Sequence, residues 1–160
     1  MFDVSSRQQI HDALLSYCRG IDRLDAGAVS AAFHPGAQLE GYAPTVMSIE
    51  TFVEHALASL GAKFTATQHR ISNTRIEETD GGARVETYVL ASHVQTSDGG
   101  DRLLTFAGRY IDRATERDGQ WRIEHRTLRH DWSKIEEIAE PMTGAWVQSG
   151  RAGTPDPLDD

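Results

Sequence analysis

A chain of 160 residues with 39% hydrophobic and 25% charged side chains has the composition of one globular domain, long enough to bury a core without disulfide or metal staples. A formal charge of −8, with lysine only at Lys63 and Lys134, argues against binding to a phosphate backbone and excludes nucleic acid as a leading partner. No apolar run approaches the roughly 18 residues of a membrane span, no basic-then-apolar leader opens the chain, and the single Cys18 can make neither an internal disulfide nor a zinc pair, so a cytoplasmic protein is expected.

From Ser6 to about Leu24, apolar residues fall at Ile10, Leu14, Tyr17, Ile21 and Leu24, the stripe of an amphipathic helix with Ser5 or Ser6 as its N-cap. Leu15 and Cys18 widen that arc. Asp22, four residues after Cys18, lies on the same flank of the buried surface. Asp25 reads as the N-cap of a second helix, "AGAVSAAF", and "HPGAQLEGYAPTV" as loop with a short strand or hairpin. A third helix is expected from about Ser48 to Leu60, with Phe52, Val53, Ala56, Leu57 and Leu60 on one side.

Beyond Lys63 the period changes to two. "TATQHRISNTRIEET", "ARVETYVLASHVQT", "RLLTFAGRYIDRATE" and "WRIEHRTLRHDW" are strand-like and are joined by Gly-containing turns, the pattern of an antiparallel meander. Helices first and sheet afterwards make the class α+β, with the open sheet covering one face with the helices. Residues 1–140 are expected to form a single domain. Residues 141–160, rich in Pro, Gly and polar side chains, form a tail predicted to be partly disordered, from which Trp146 docks on a neighbour or covers a pocket.

The order "YCRGID", "QHRISN", "ETYVLASH", "FAGRYIDR" and "WRIEHR…DW" resembles the SnoaL-like branch of the nuclear transport factor 2-like superfamily, nearest scytalone dehydratase, bile-acid 7α-dehydratase and hexachlorocyclohexane dehydrochlorinase. The likeness spans roughly residues 5 to 135. It implies a cone, a strongly curved antiparallel sheet wrapped on N-terminal helices with an apolar pocket at the open end. It also implies an Asp–His dyad, which falls on Asp22 and His69, a pocket tyrosine at Tyr17 and an arginine at Arg126 or Arg129. A further pocket histidine falls on His93. Phe52, Leu57 and Trp146 are the expected apolar contacts to substrate. The scytalone dehydratase pattern has additional pocket tyrosines and a Ser/Asn pair without assigned counterparts here. The acidic residue that many relatives carry after "FHP" is replaced by Gly36 and Ala37. The resemblance further implies a homo-oligomer, trimer or dimer, for which Leu103, Phe106 and Tyr110 are candidate outward residues.

These residue types suit proton abstraction. A neutral imidazole titrates near working pH, and an aspartate on its other ring nitrogen fixes the tautomer and stabilises the imidazolium. A tyrosine hydroxyl can donate to a carbonyl or leaving oxygen, and an arginine can stabilise developing negative charge. The expected activity is that of a lyase or isomerase, of dehydratase or elimination type, acting on a small hydrophobic, cyclic molecule. No cofactor and no metal ligand set is called for.

Other readings stand beside this one. Asp22 can be a solvated helix-end residue paired with Arg19 or Arg23, and His69 an ordinary strand histidine. His34 and His55 read as loop and helix-surface residues. Arg126 and Arg129 can be surface cross-strand partners. Strict alternation puts Arg126 with Leu128 on one face and Trp121, Ile123 and His125 on the other, barring a bulge. At the level of function, a non-catalytic small-molecule-binding or assembly module is the first alternative, and an epoxide-type hydrolase the second.

Overall fold

A computed structural model describes residues 2–139 together with Gly144 and Arg151; Trp146 and the other tail residues lie outside the described residues. Helix α1 spans Val4–Arg23 and starts earlier than the apolar stripe alone suggests. Asp3, not a serine, is the N-cap. Its carboxylate accepts from the Ser6 amide at 2.9 Å, and the Ser6 hydroxyl accepts in return from the Asp3 amide, so Ser6 closes a capping box from the N3 position. Leu24 ends the helix in the left-handed region, at φ 56°. Helix α2 (Ala26–Ala31) follows at once, capped by Asp25 as expected. The two helices meet at Gly20, where a Cβ would stand 2.7 Å from the Val29 amide nitrogen.

Strand β1 (Phe33–Glu40) and the short β2 (Met47–Ser48) form the hairpin expected before helix α3, which spans Ile49–Lys63 and is capped by Ser48. The four long strands are β3 (Ala66–Thr79), β4 (Gly82–Gln95), β5 (Asp101–Arg117) and β6 (Gln120–Ile138). They form the expected antiparallel meander within a curved, unclosed sheet of order β2-β1-β6-β5-β4-β3. One seam departs from a purely antiparallel sheet: β1 lies parallel to β6.

Helix α1 buries Ile10, Leu14, Tyr17 and Ile21 in the same cluster as Val85, Val89, Tyr110, Ala114 and Ile123 of the sheet. Burial of these side chains, at roughly 25 cal/mol per Å² of apolar surface, is the main force holding the helix against the sheet. Strict alternation along β6 fails for an identifiable reason. Ala114 pairs with Ile123 and Arg113 with His125, so Glu124 is an extra residue. This bulge lets Trp121, Ile123 and Arg126 all point inward, where unbroken alternation would have separated them. Tyr110 is 3% exposed and Phe106 packs against the core, so neither forms the outward association face that the sequence left open for them. His34 is likewise buried, not a loop-surface residue; its Nε2 lies 2.9 Å from the Thr115 carbonyl. Among the described residues, no helix is long and apolar enough to cross a membrane.

Candidate active site

Strand β3 is an edge strand, so the amides on its side away from β4 lack strand partners. Asp22, in the last turn of α1, meets one of them. Its Oδ2 accepts from the His69 amide at 2.8 Å, and its Oδ1 lies 2.7 Å from His69 Nδ1. One carboxylate therefore grips both the backbone and the ring of the same histidine. The side chains are 9% and 12% exposed for His69 and Asp22, which rules out the solvated helix-end reading. With the Nδ1 proton directed at the carboxylate, Nε2 is left as the basic nitrogen.

Two hollows adjoin this pair. An open groove of about 1050 Å³ runs between Leu15, Arg19 and Arg23 of α1 and Gln68, Arg70 and Val94 of the sheet. A smaller inner cavity of about 240 Å³ is lined by Tyr17, Ile21, Tyr42, Phe52, His69, His93, Tyr110 and Leu128, with Ala56, Leu60, Ala91 and Phe106 completing the wall. The inner cavity is smaller than the groove but more enclosed and more apolar. It is walled by aromatic and aliphatic side chains, so a charge or hydrogen bond there acts through little water.

The polar groups of that cavity are ordered by packing. The His93 ring meets His69 edge-on at 5.5 Å between centroids and also contacts Phe64 at 4.9 Å. Burial, with the neighbouring His69 adding to it, pushes the His93 pKa down to about 4, so this imidazole is neutral near pH 7. The Tyr17 and Tyr42 hydroxyls lie 3.2 Å apart. Burial raises the pKa of Tyr17, Tyr42 and Tyr110 well above the ordinary phenol value, which keeps all three protonated as hydrogen-bond donors. Tyr42 reaches the cavity from the loop after β1 because Gly41, at φ +87°, turns the chain there; a Cβ on Gly41 would lie 2.4 Å from the Leu128 carbonyl oxygen.

Arg126 is not where a substrate could touch it. It is wholly buried behind the phenols, with its guanidinium 4.4 Å from the Tyr17 ring centroid and 4.0 Å from that of Tyr110. Its Nε and Nη2 donate to the two carboxylate oxygens of Asp112 at 2.8 and 2.7 Å. Burial opposes its charge most strongly of any single influence, but the charge and hydrogen bonds of Asp112, with Tyr42 and Tyr17 adding to them, together hold its pKa well above the usual arginine value. The expectation of direct contact with substrate is thus corrected: this cation is separated from the cavity by Tyr17 and Tyr110, which line it.

Arg129 is corrected more simply. It is exposed, on the opposite side of β6 from Leu128, and lines neither of the two hollows beside the Asp22–His69 pair. Leu57 packs against the core instead of the cavity, and its neighbours Ala56 and Leu60 form that part of the wall; Phe52 lines the cavity as expected. Sequence reasoning missed Tyr42, Tyr110 as a cavity residue, and Asp112. The last two share a strand face with Phe106, which was a usable signal; Tyr42 sits in an irregular loop that carries none.

A SnoaL-like domain model matches residues 3–127. The chain belongs to the SnoaL-like family. Solved structures with this fold include a protein of Novosphingobium aromaticivorans DSM 12444 named after scytalone dehydratase, at 22% identity and TM-score 0.70, covering 87% of this chain and 97% of that one. A type 2 hexachlorocyclohexane dehydrochlorinase aligns at 16% identity and TM-score 0.75 over 89% of this chain and 97% of the other. The Kfla4162 protein of Kribbella flavida aligns at 20% identity and TM-score 0.72 over 81% and 93%. At these identities the likeness is one of fold. No curated protein matches the chain. The matched span runs from the start of α1 into β6 and includes Tyr17, Asp22, Tyr42, His69, His93 and Tyr110.

Proposed function

We propose that this SnoaL-like protein is a lyase or isomerase that abstracts a proton from a small hydrophobic, cyclic substrate, with His69 as general base. The observation that carries the reading is the 2.7 Å contact of Asp22 with His69 Nδ1 at the wall of the tyrosine-lined cavity. Two of the similar folds carry the names of a dehydratase and a dehydrochlorinase, both names for elimination reactions, which supports the reaction class.

In the proposed reaction a ring ketone lies in the cavity with its oxygen toward the Tyr17–Tyr42 hydroxyl pair. His69 Nε2 takes a proton from the carbon next to the carbonyl, and Asp22 stabilises the resulting imidazolium. The electron pair of the broken C–H bond moves onto the carbonyl oxygen, where the protonated phenols receive it as a hydrogen-bonded enolate. The enolate then either expels a β-hydroxyl, which leaves as water with the proton from His69, or, where the ring carries a β,γ double bond, takes the proton back from His69 at the γ-carbon, which moves the double bond into conjugation. The first outcome is dehydration and the second isomerisation. Arg126, stacked on Tyr17 and Tyr110, polarises the phenols without touching the substrate. His93 is neutral and closes the wall beside the base.

The test needs no foreknowledge of the substrate. A panel of cyclic β-hydroxy ketones and their unsubstituted parent ketones is incubated with the protein in D2O, and deuterium at the α-carbon and loss of water are followed by NMR. Exchange or elimination is expected for at least one cyclic member, and both disappear in Asp22→Asn and His69→Ala. Catalysis that survives both changes would falsify the assignment. Ligand binding with no exchange in the unaltered protein favours a binding module instead.

A further inference from the structure

Two walls of the inner cavity continue beyond it. On the helix side, Phe52, Ala56 and Leu60 follow one another at single turns of α3 and line the inner cavity, and Phe64 at the end of the same helix lines an outer hollow of about 610 Å³. On the sheet side, Tyr110 and Phe106 of β5 line the inner cavity, and Phe106 and Leu104 line the outer hollow. These positions are even steps apart, so they share one face of the strand. His93 of β4 borders both spaces as well. From Tyr110 to Leu104 the shared floor runs roughly 20 Å, at about 3.3 Å per residue.

The residues at the junction leave the way between them apolar. A Cβ on Gly108 would stand 2.8 Å from the Phe106 ring, so that ring lies along the strand over the glycine and not upright across the floor. The His93 ring is held between Phe64 and His69 and is neutral near pH 7. Around the outer hollow, Phe64 and Leu104 are half-buried and Ile135 is 65% exposed, a grouped apolar surface unlike a single scattered side chain. The polar groups of its rim are engaged within the fold: Ser133 Oγ lies 3.0 Å from His130 Nε2, and Lys134 Nζ pairs with Glu136 at 2.8 Å. What the hollow offers a ligand is apolar contact.

We propose that the outer hollow is a second substrate subsite, which takes an apolar chain attached to the ring held in the inner cavity. The proposal rests on the reading of the inner cavity as the substrate site and names the further part of the molecule. A void of about 150 Å³ accommodates benzene. The inner cavity, at about 240 Å³, therefore holds one ring with a short substituent, and a longer one must leave it. With the ring carbonyl at the Tyr17–Tyr42 hydroxyls, a chain on the far side of the ring passes over Phe106 and beside His93 to Leu104 and Ile135.

The experiment measures binding and so is independent of turnover. The probes are 4-methyl-, 4-butyl- and 4-hexylcyclohexanone, titrated calorimetrically into the full chain. Affinity is expected to rise about three- to fourfold for each methylene that reaches the hollow. Ile135→Glu, at the exposed rim, and Leu104→Trp, which fills the hollow, are each expected to weaken the hexyl compound by about 10-fold or more and the methyl compound by no more than about twofold. The proposal fails if affinity does not rise from methyl to hexyl, if none of the three binds, or if the rise persists in both variants. It also fails if both variants weaken the methyl and hexyl compounds alike, since the altered residues then act on the fold and not on the chain. Deuterium exchange of the same ketones in D2O separates the two readings. A rise that depends on Ile135 and Leu104 with no exchange in any member overturns the lyase reading alone, and exchange of the methyl compound with no rise overturns the second subsite alone.

Discussion

Asp22 does two things with one carboxylate, and substitution separates them. In Asp22→Asn the amide oxygen can still accept from the His69 amide, but the NH2 group then faces Nδ1 and selects the tautomer with its proton on Nε2, which cannot accept one from substrate. The expected loss in turnover is about 10²- to 10⁴-fold with only a small change in melting temperature, read from the NMR exchange assay and a thermal scan. The Arg126–Asp112 pair responds in the opposite manner. Removing one partner leaves an uncompensated buried charge, so Asp112→Ala is expected to cost about 3–5 kcal/mol in urea unfolding, while a double replacement by apolar residues recovers much of that loss. At this scale the sequence was informative wherever a residue lay on a regular element. Asp22 could be placed on the flank of a helical stripe and His69 on an alternating strand, and the resemblance joined them. Tyr42 could not be found, because no period runs through its loop. The partner of Arg126 was hidden because it lies on the neighbouring strand and the pairing depends on register.

Helices and strands were legible as kinds and in order, and their deviations trace to specific competitions. Asp3 outcompetes Ser5 and Ser6 as the cap of α1 because Ser6 is more useful three residues in, returning a hydrogen bond to the cap. The bulge at Glu124 leaves no mark on hydrophobic periodicity, since one extra residue in β6 shifts parity without changing composition. Gly20 supplies a sharp test of element packing. Helix propensity alone favours Gly20→Ala by about 1 kcal/mol. The contact with α2 says otherwise: the added methyl would meet the Val29 backbone nitrogen at 2.7 Å, which cannot swing away as a side-chain tip can. Gly20→Ala is therefore expected to destabilise by about 1–3 kcal/mol, as overpacking does, and equilibrium unfolding in urea will give the sign. An increase in stability would show that α1 and α2 slide apart freely, contrary to the packing described.

For the whole molecule, the cavity between helix and sheet couples fold stability to proton uptake. The pKa of His93 is about 4 in the folded protein against 6.5 for an unburied histidine. Between these values the unfolded chain binds more protons than the folded one, so stability rises with pH through this window and is lost as pH falls from 6.5 toward 4. His93→Phe, which keeps an aromatic ring against Phe64 and His69, is expected to flatten that part of the profile; melting temperatures from pH 4 to 7.5 for both proteins provide the check. A profile equally steep in the variant would place the acid sensitivity elsewhere. The antiparallel sheet on N-terminal helices was legible from the switch in periodicity, and its strong curvature only from the family resemblance. The parallel seam between β1 and β6 was not, because it joins segments some eighty residues apart and depends on global packing, not on local pattern.

The bond from the His69 amide to Asp22 has a spectroscopic use. A backbone proton held 2.8 Å (donor to acceptor) by the Asp22 carboxylate is a native reporter on that carboxylate's charge. Its nitrogen and proton resonances should move when Asp22 gains a proton or a ligand draws it away, and its exchange with solvent should quicken when α1 parts from the sheet margin. One peak in a heteronuclear spectrum could then follow the state of the dyad before any substrate is known.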